Sequence, residues 1–288
     1  MITFKEKIKY APVFVISCFP FWLIYAFSRF VYVFLFYFFS YRKAVVFDNL
    51  EKSFPEKSAS EIRVIAKKFY MHFCSTFLES IKLLSASKET MLAHYKILNA
   101  EVINAHYSKG ESLILYGAHY GNWEWMGVMP LYSKFKFMPF YQKQSSAYFD
   151  RLMVINRERM GSVCVESQSG FKTLLKHSIN GIPTFTYVIG DQSPMSNSTK
   201  KWTMFLNRET AFLVGAGRMA KKVNQKIYYP RVTQPKRGYY EMEFIEVPID
   251  DDNVEPVFKY AELLEANIKE QPELWLWSHK RWKLKKEA

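Results

Sequence analysis

Cysteine is scarce in this 288-residue chain: three residues, Cys18, Cys74 and Cys164, far apart and odd in number. They form no CxxC spacing and cannot all pair, which argues against a disulfide framework and for a reducing, cytoplasm-facing compartment. Acidic residues are also short, 27 Asp and Glu against 40 Lys and Arg, leaving a formal charge of +13. That imbalance calls for a polyanionic partner: an anionic membrane surface, a phosphorylated substrate or a nucleic acid. No zinc-ligand spacing, RNA-binding signature or reader-like basic helix is present, so nucleic acid is disfavoured and no metal site is expected. His72, His94, His106 and His177 lack metal-ligand spacing and read as structural. Internal repeats and low-complexity linkers are missing, and no small-residue cleavage site follows the first apolar run.

Aromatic side chains are plentiful, 18% of the chain, and they crowd the N-terminus. From Tyr10 to Tyr41 the only charged residue is Arg29, and Pro12 and Pro20 punctuate the run. A spanning helix needs about 20 mostly apolar residues, fewer than this run supplies. Phe, Tyr and Trp favour the membrane–water interface. Two arrangements stay open: one span in which Arg29 snorkels or pairs, or a kinked anchor lying in the interface. A buried helix of a soluble core is the third. Lys5, Lys7 and Lys9 precede the run and Arg42 and Lys43 follow it, so counting positive charges gives no orientation. The expected organisation is a membrane anchor over residues 1–45 and a catalytic domain over residues 46–288.

Beyond the anchor, Ser58 or Ser60 can cap a helix with Glu61 in its first turn, and Ile62, Ile65, Phe69, Phe73, Phe77 and Leu78 recur at helical spacing. Strands are expected at ESLILYGAH (111–119), KFMPFYQK (136–143), IPTFTYVIGDQ (182–192), KIYYPRVTQ (226–234) and YYEMEFIEVP (239–248). Helices are expected at 146–161, 171–179, 210–224 and 255–271, with a helix or turn beginning at Gly121. This alternation predicts an α/β fold with a mainly parallel sheet flanked by helices.

The sharpest local feature is GAHYGNWE over 117–124. His119 and Glu124 are five apart, about 140° around a continuous helix and too far for a direct bond. At a strand end followed by a turn, Glu124 can fold back toward His119. Gly117 and Gly121 supply permissive backbone, and ligands of α/β sheets sit at such strand ends. The carboxylate would fix the imidazole tautomer while the other ring nitrogen takes a proton from an attacking hydroxyl. A half-buried histidine beside an unrelated surface glutamate is the plain alternative.

HYGNWE after an aromatic anchor resembles the HxxxxE motif of the lipid A biosynthesis acyltransferases. NLEKSFPE (49–56), GDQ (190–192) and PELWLWSHKRWK (272–283) resemble further motifs of that family, in order along nearly the whole chain. The resemblance implies a glycerolipid-acyltransferase-like fold in the bacterial inner membrane, its catalytic domain facing the cytoplasm. It implies transfer, without a cofactor, from an acyl carrier protein or coenzyme A thioester to a hydroxyl of a lipid A precursor. His119 would be the general base and Glu124 its partner. Arg157, with Arg159 as fallback, would neutralise an oxyanion or hold a phosphate, Asp191 would position Arg157, and Asn122 would join the substrate contacts. The chain departs from the family at Ser193, where a second acid is usual, and at Gln142 and Ser167-Gln168, where arginines are usual. These departures keep other acceptors open: an aminolipid, a lysophospholipid or a glycolipid. A non-catalytic membrane-anchored scaffold is the rival from another class. Lys200, Lys201, Arg208, Lys221 and Lys222 offer a carrier-docking patch. The basic aromatic tail from Trp275 to Lys286 suits either a membrane interface or a packed terminus.

Overall fold

The computed structural model describes residues 4–249 and 255–286; the side chains of Phe4, Lys5 and Lys7, part of the basic N-terminal flank, fall outside the description. The N-terminal run folds as two helices, α1 (Phe4–Cys18) and α2 (Phe21–Val33), broken at Phe19 and Pro20. Helix α2 continues through one π turn, Phe34–Phe38, and the 18 residues Phe21–Phe38 are long and apolar enough to cross a membrane, with a mean hydropathy of 1.6. Only 22% of that stretch is buried, and Trp22, Phe27, Phe30 and Phe38 point outward. Its other face packs on the protein, where Tyr32 and Phe36 join the main core.

Helix α3 (Lys43–Ser53) crosses the boundary expected at residue 45, and α4 (Ala59–Lys82) follows. Ser58 is its cap: its hydroxyl accepts from the Glu61 amide while the Glu61 carboxylate accepts from the Ser58 amide, a complete capping box. Ile62, Ile65, Phe69 and Leu78 are buried as the periodicity requires, whereas Phe77 is 60% exposed. Then come α5 (Lys88–His94), β1 (Tyr95–Ile97), α6 (Ala100–Ser108) and β2 (Leu113–Gly117), every residue of β2 buried. A 3-10 turn, Trp123–Val128, leads into α7 (Met129–Tyr132), β3 (Lys136–Tyr141), α8 (Ala147–Glu158), β4 (Val165–Glu166), α9 (Gly170–Ile179) and β5 (Thr184–Ile189).

The segment after β5 differs from expectation. Residues 210–213 belong to an antiparallel hairpin, β6 (Lys200–Phe205) with β7 (Arg208–Leu213), and the helix α10 begins only at Gly215 and ends at Val223. Thr210, Ala211, Phe212 and Leu213 are apolar enough for either element; pairing with β6 decides. Strands β8 (Lys226–Lys236) and β9 (Tyr239–Val247), helix α11 (Pro256–Glu270) and a 3-10 turn at Pro272–Leu274 follow as the last elements among the described residues.

Seven strands form one sheet in the order β1-β9-β8-β2-β5-β3-β4. Every neighbouring pair is parallel except β8 with β9. The fold is therefore mixed α/β with a mostly parallel sheet, as the alternation predicts. Strands β2 and β5 lie side by side, Gly117 opposite Ile189, so their C-terminal ends open at the same edge.

Candidate active site

Two glycines make that edge possible. A Cβ on Gly117 would come within 2.5 Å of the Tyr187 ring, so the residue is glycine for space. Gly121, by contrast, has φ +61° and turns the chain sharply after His119.

His119 follows β2 and Asp191 follows β5, 72 residues apart in sequence and joined in space: His119 Nδ1 lies 2.7 Å from Asp191 Oδ1. The His119 backbone amide donates to Asp191 Oδ2 at 3.0 Å, and the Trp275 indole donates to the same oxygen at 2.8 Å. Burial alone would push the Asp191 carboxyl up; the His119 ring and these hydrogen bonds outweigh it and hold the group below the ordinary aspartate value. An ionised Asp191 makes Nδ1 the protonated ring nitrogen and leaves Nε2 with a lone pair. Nε2 stands 3.3 Å from the Gln192 side-chain nitrogen, and the His119 side chain keeps 19% of its surface open.

The carboxylate that holds the imidazole is thus Asp191, not Glu124. Glu124, on the 3-10 turn, gives both oxygens to Arg157 of α8, which donates from Nε at 2.8 Å and Nη2 at 2.7 Å. This is the bidentate fork that guanidinium and carboxylate form best. Burial works against the Arg157 charge, but Glu124 outweighs it and raises the guanidinium pKa. The four residues do meet in two pairs, but not the pairs the sequence suggests: Asp191 bonds His119, and Glu124 bonds Arg157. Spacing along the chain favoured the nearer acid; the parallel register of β2 and β5 brings the distant one closer.

His119, Glu124 and Arg157 all line a cavity of about 990 Å³. Its walls are largely apolar, with Met126, Phe137, Phe140, Met153 and Met219, while His279 and Lys283 bring polar groups. Burial pushes the His279 imidazole down to about 4, although Asp191 pulls the other way.

Two expected contacts lie elsewhere. Asn122 is fully buried and donates to Glu79 Oε2 of α4 at 2.8 Å, so it secures the turn rather than facing the cavity. Arg159 donates to the carbonyls of Leu83 and Ala86 just beyond α4. The tail is packed rather than interfacial over its first part: Trp275, Trp277 and Arg281 are buried. Leu276 N donates to His119 O, and Gly121 N to Leu274 O, so this segment runs antiparallel along the loop after β2. Sequence reasoning missed Trp275 and Gln192 as neighbours of the histidine, although both sit in motifs it had singled out. The four histidines read as structural are spread through the fold; His72, for example, meets Gly121 O and Thr76, and His94 meets Gly238 O.

A mostly parallel sheet carries a histidine–aspartate pair at its strand ends, beside a cavity with mainly apolar walls, in an α/β protein. The chain belongs to the bacterial lipid A biosynthesis acyltransferase family, whose model matches residues 6–284. No curated protein gives a match.

Proposed function

We propose that the chain moves a fatty acyl group from an acyl carrier protein thioester, or a coenzyme A thioester, to a hydroxyl of a lipid A precursor. The observation that carries this is the Asp191–His119 pair at the foot of the cavity, with Nε2 turned away from its carboxylate. Asp191 keeps the proton on Nδ1, so Nε2 removes the proton from the acceptor hydroxyl as its oxygen attacks the thioester carbonyl. The tetrahedral oxyanion then collapses, the carbon–sulfur bond breaks, and the imidazolium returns its proton to the departing thiolate. Arg157, locked by Glu124 on the cavity wall, sets a positive charge where an oxyanion or a substrate phosphate needs one. Burial costs no reorientation when the charge develops, because the bidentate pair is fixed in advance. The apolar walls suit the acyl chain, and Phe21–Phe38 would anchor the protein in the inner membrane with the catalytic residues on the cytoplasmic side.

A second acceptor is favoured by a specific observation. Gln142, Ser167 and Gln168, which stand where the family carries arginines, all line the cavity. Uncharged groups there suit a head group with fewer phosphates, such as a lysophospholipid, an aminolipid or a glycolipid.

The test is an assay of detergent-solubilised protein with labelled acyl carrier protein thioester and a panel of lipid acceptors, beside His119→Ala. Transfer by the wild type and none by a folded His119→Ala supports the reading. A wild type that binds acyl carrier protein and turns over no lipid acceptor would favour the scaffold instead.

A further inference from the structure

The cavity meets solvent at an apolar rim. Phe149 of α8, Phe171 of α9 and Met195 after β5 all line it, yet they are 55%, 39% and 67% exposed. Helix α9 extends that rim. Its Gly170 and Leu174 face the core, and at about 100° per residue the next face carries Phe171, Leu175 and Ile179 in one row. Leu175 is 38% exposed, Ile179 77%, and Ile182, just past the helix, 44%. Beyond the row stand the exposed Lys172 and Lys176, and Lys143 projects from the loop after β3. An apolar row bordered by lysines is the layout of a helix that lies in a membrane interface, its rings in the acyl boundary and its cations at phosphate level.

The rim is also continuous with the N-terminal apolar region. Tyr10 of α1 meets Tyr148 of α8 with ring centroids 4.8 Å apart, and Phe149, the next residue, is a rim residue. Helix α1 itself exposes Phe14, Val15 and Ile16.

We propose that the exposed row of α9, with the rim formed by Phe149, Phe171 and Met195, seats on the surface of an anionic phospholipid bilayer, so that the cavity opens directly into the lipid. The charge of the flanking lysines selects a bilayer over an apolar protein partner. A lipid substrate then enters the cavity without its chains crossing water. This seating stands on geometry alone; only the activity arm of its test rests on the proposed function.

The full chain, with Cys18 and Cys164 changed to serine, is labelled with an environment-sensitive fluorophore at Ile179→Cys and placed in phosphatidylethanolamine–phosphatidylglycerol nanodiscs carrying doxyl lipids. Quenching at 179 comparable to that at Phe27→Cys on α2, and several-fold above that at Glu262→Cys on α11, is expected. Quenching no greater than at 262 overturns the proposal, including the case where another protein covers the row. In the activity arm, Leu175→Asp with Ile179→Asp should lower transfer to acceptor held in vesicles about tenfold and leave transfer in detergent micelles within about twofold. Equal loss in both would overturn it, and an inactive wild type would count against the proposed function while leaving the quenching result intact.

Discussion

Asp191 and Glu79 are both carboxylates sealed from water, 3% and 0% exposed, and their surroundings push them in opposite directions. Asp191 has three hydrogen bonds, one of them from an imidazole, and its pKa falls below the ordinary value despite burial. Glu79 sits under the same strand edge, where its Oε2 accepts from Asn122 and from the Tyr240 hydroxyl at 2.8 Å each. Burial raises its pKa, and those two neutral donors with the charge of Arg237 recover only part of the cost. Neutral donors, even with a cation that does not bond the carboxylate, only soften its burial; an imidazole hydrogen-bonded to it, with two further donors, reverses it. The first arrangement is the proposed proton-transfer site and the second a strut, since the Glu79 backbone carbonyl also accepts from the Trp125 indole at 3.2 Å and so holds the turn that carries Glu124.

The contrast can be broken most severely at Asp191. Asp191→Asn should lower acyl transfer by about 10²–10⁴-fold, the range a positioned general base contributes, because an amide no longer stabilises the imidazolium. Initial rates beside a melting curve check this; a folded variant at wild-type rate would remove Asp191 from the mechanism. Next, Arg157→Ala should destabilise the fold by about 3 kcal/mol, since it leaves Glu124 buried and unpaired. Urea titration measures that cost, and a change near zero would make the pair a surface decoration.

The strut end makes a smaller prediction with a definite sign. The folded-state pKa of Glu79 stands above its unfolded value, so its stability contribution is complete below about pH 4.3 and is lost as pH rises toward the folded value. Asp191, depressed instead, contributes stability above its unfolded value that is lost as pH falls. Glu79→Gln removes the first of these losses and should stabilise the protein by about 1 kcal/mol at pH 8, with the gain shrinking toward pH 5. Melting temperatures at the two pH values decide it; a gain that grows toward pH 5 would mean that Glu79 is held as an anion. Smallest is Tyr240→Phe, which removes one donor from Glu79 and should cost about 0.5 kcal/mol in a urea melt with the transfer rate unchanged.

Much of the fold is legible in the sequence. Strand β2 declares itself by five apolar or small residues ending in glycine, and α4 by its capping box, because both signals are local. His119, Glu124, Arg157 and Asp191 were all visible as chemistry. What the chain could not reveal was who holds whom, since that depends on the register between β2 and β5. Thr210 to Leu213 misled for the same reason: a short apolar run takes its conformation from its partner, here β6. Asn122 and Arg159 are polar residues near the right motifs whose side chains turn inward, and burial direction is not written in spacing.

The indole of Trp275 reaches back 84 residues to close the hydrogen-bond shell of Asp191. During synthesis this last donor leaves the ribosome after every strand of the sheet has already been made. Until then the aspartate has an incomplete shell, and the loop carrying His119 lacks the antiparallel segment that braces it. The order of the genetic text therefore makes the shell of Asp191 one of the last parts of the fold to be completed.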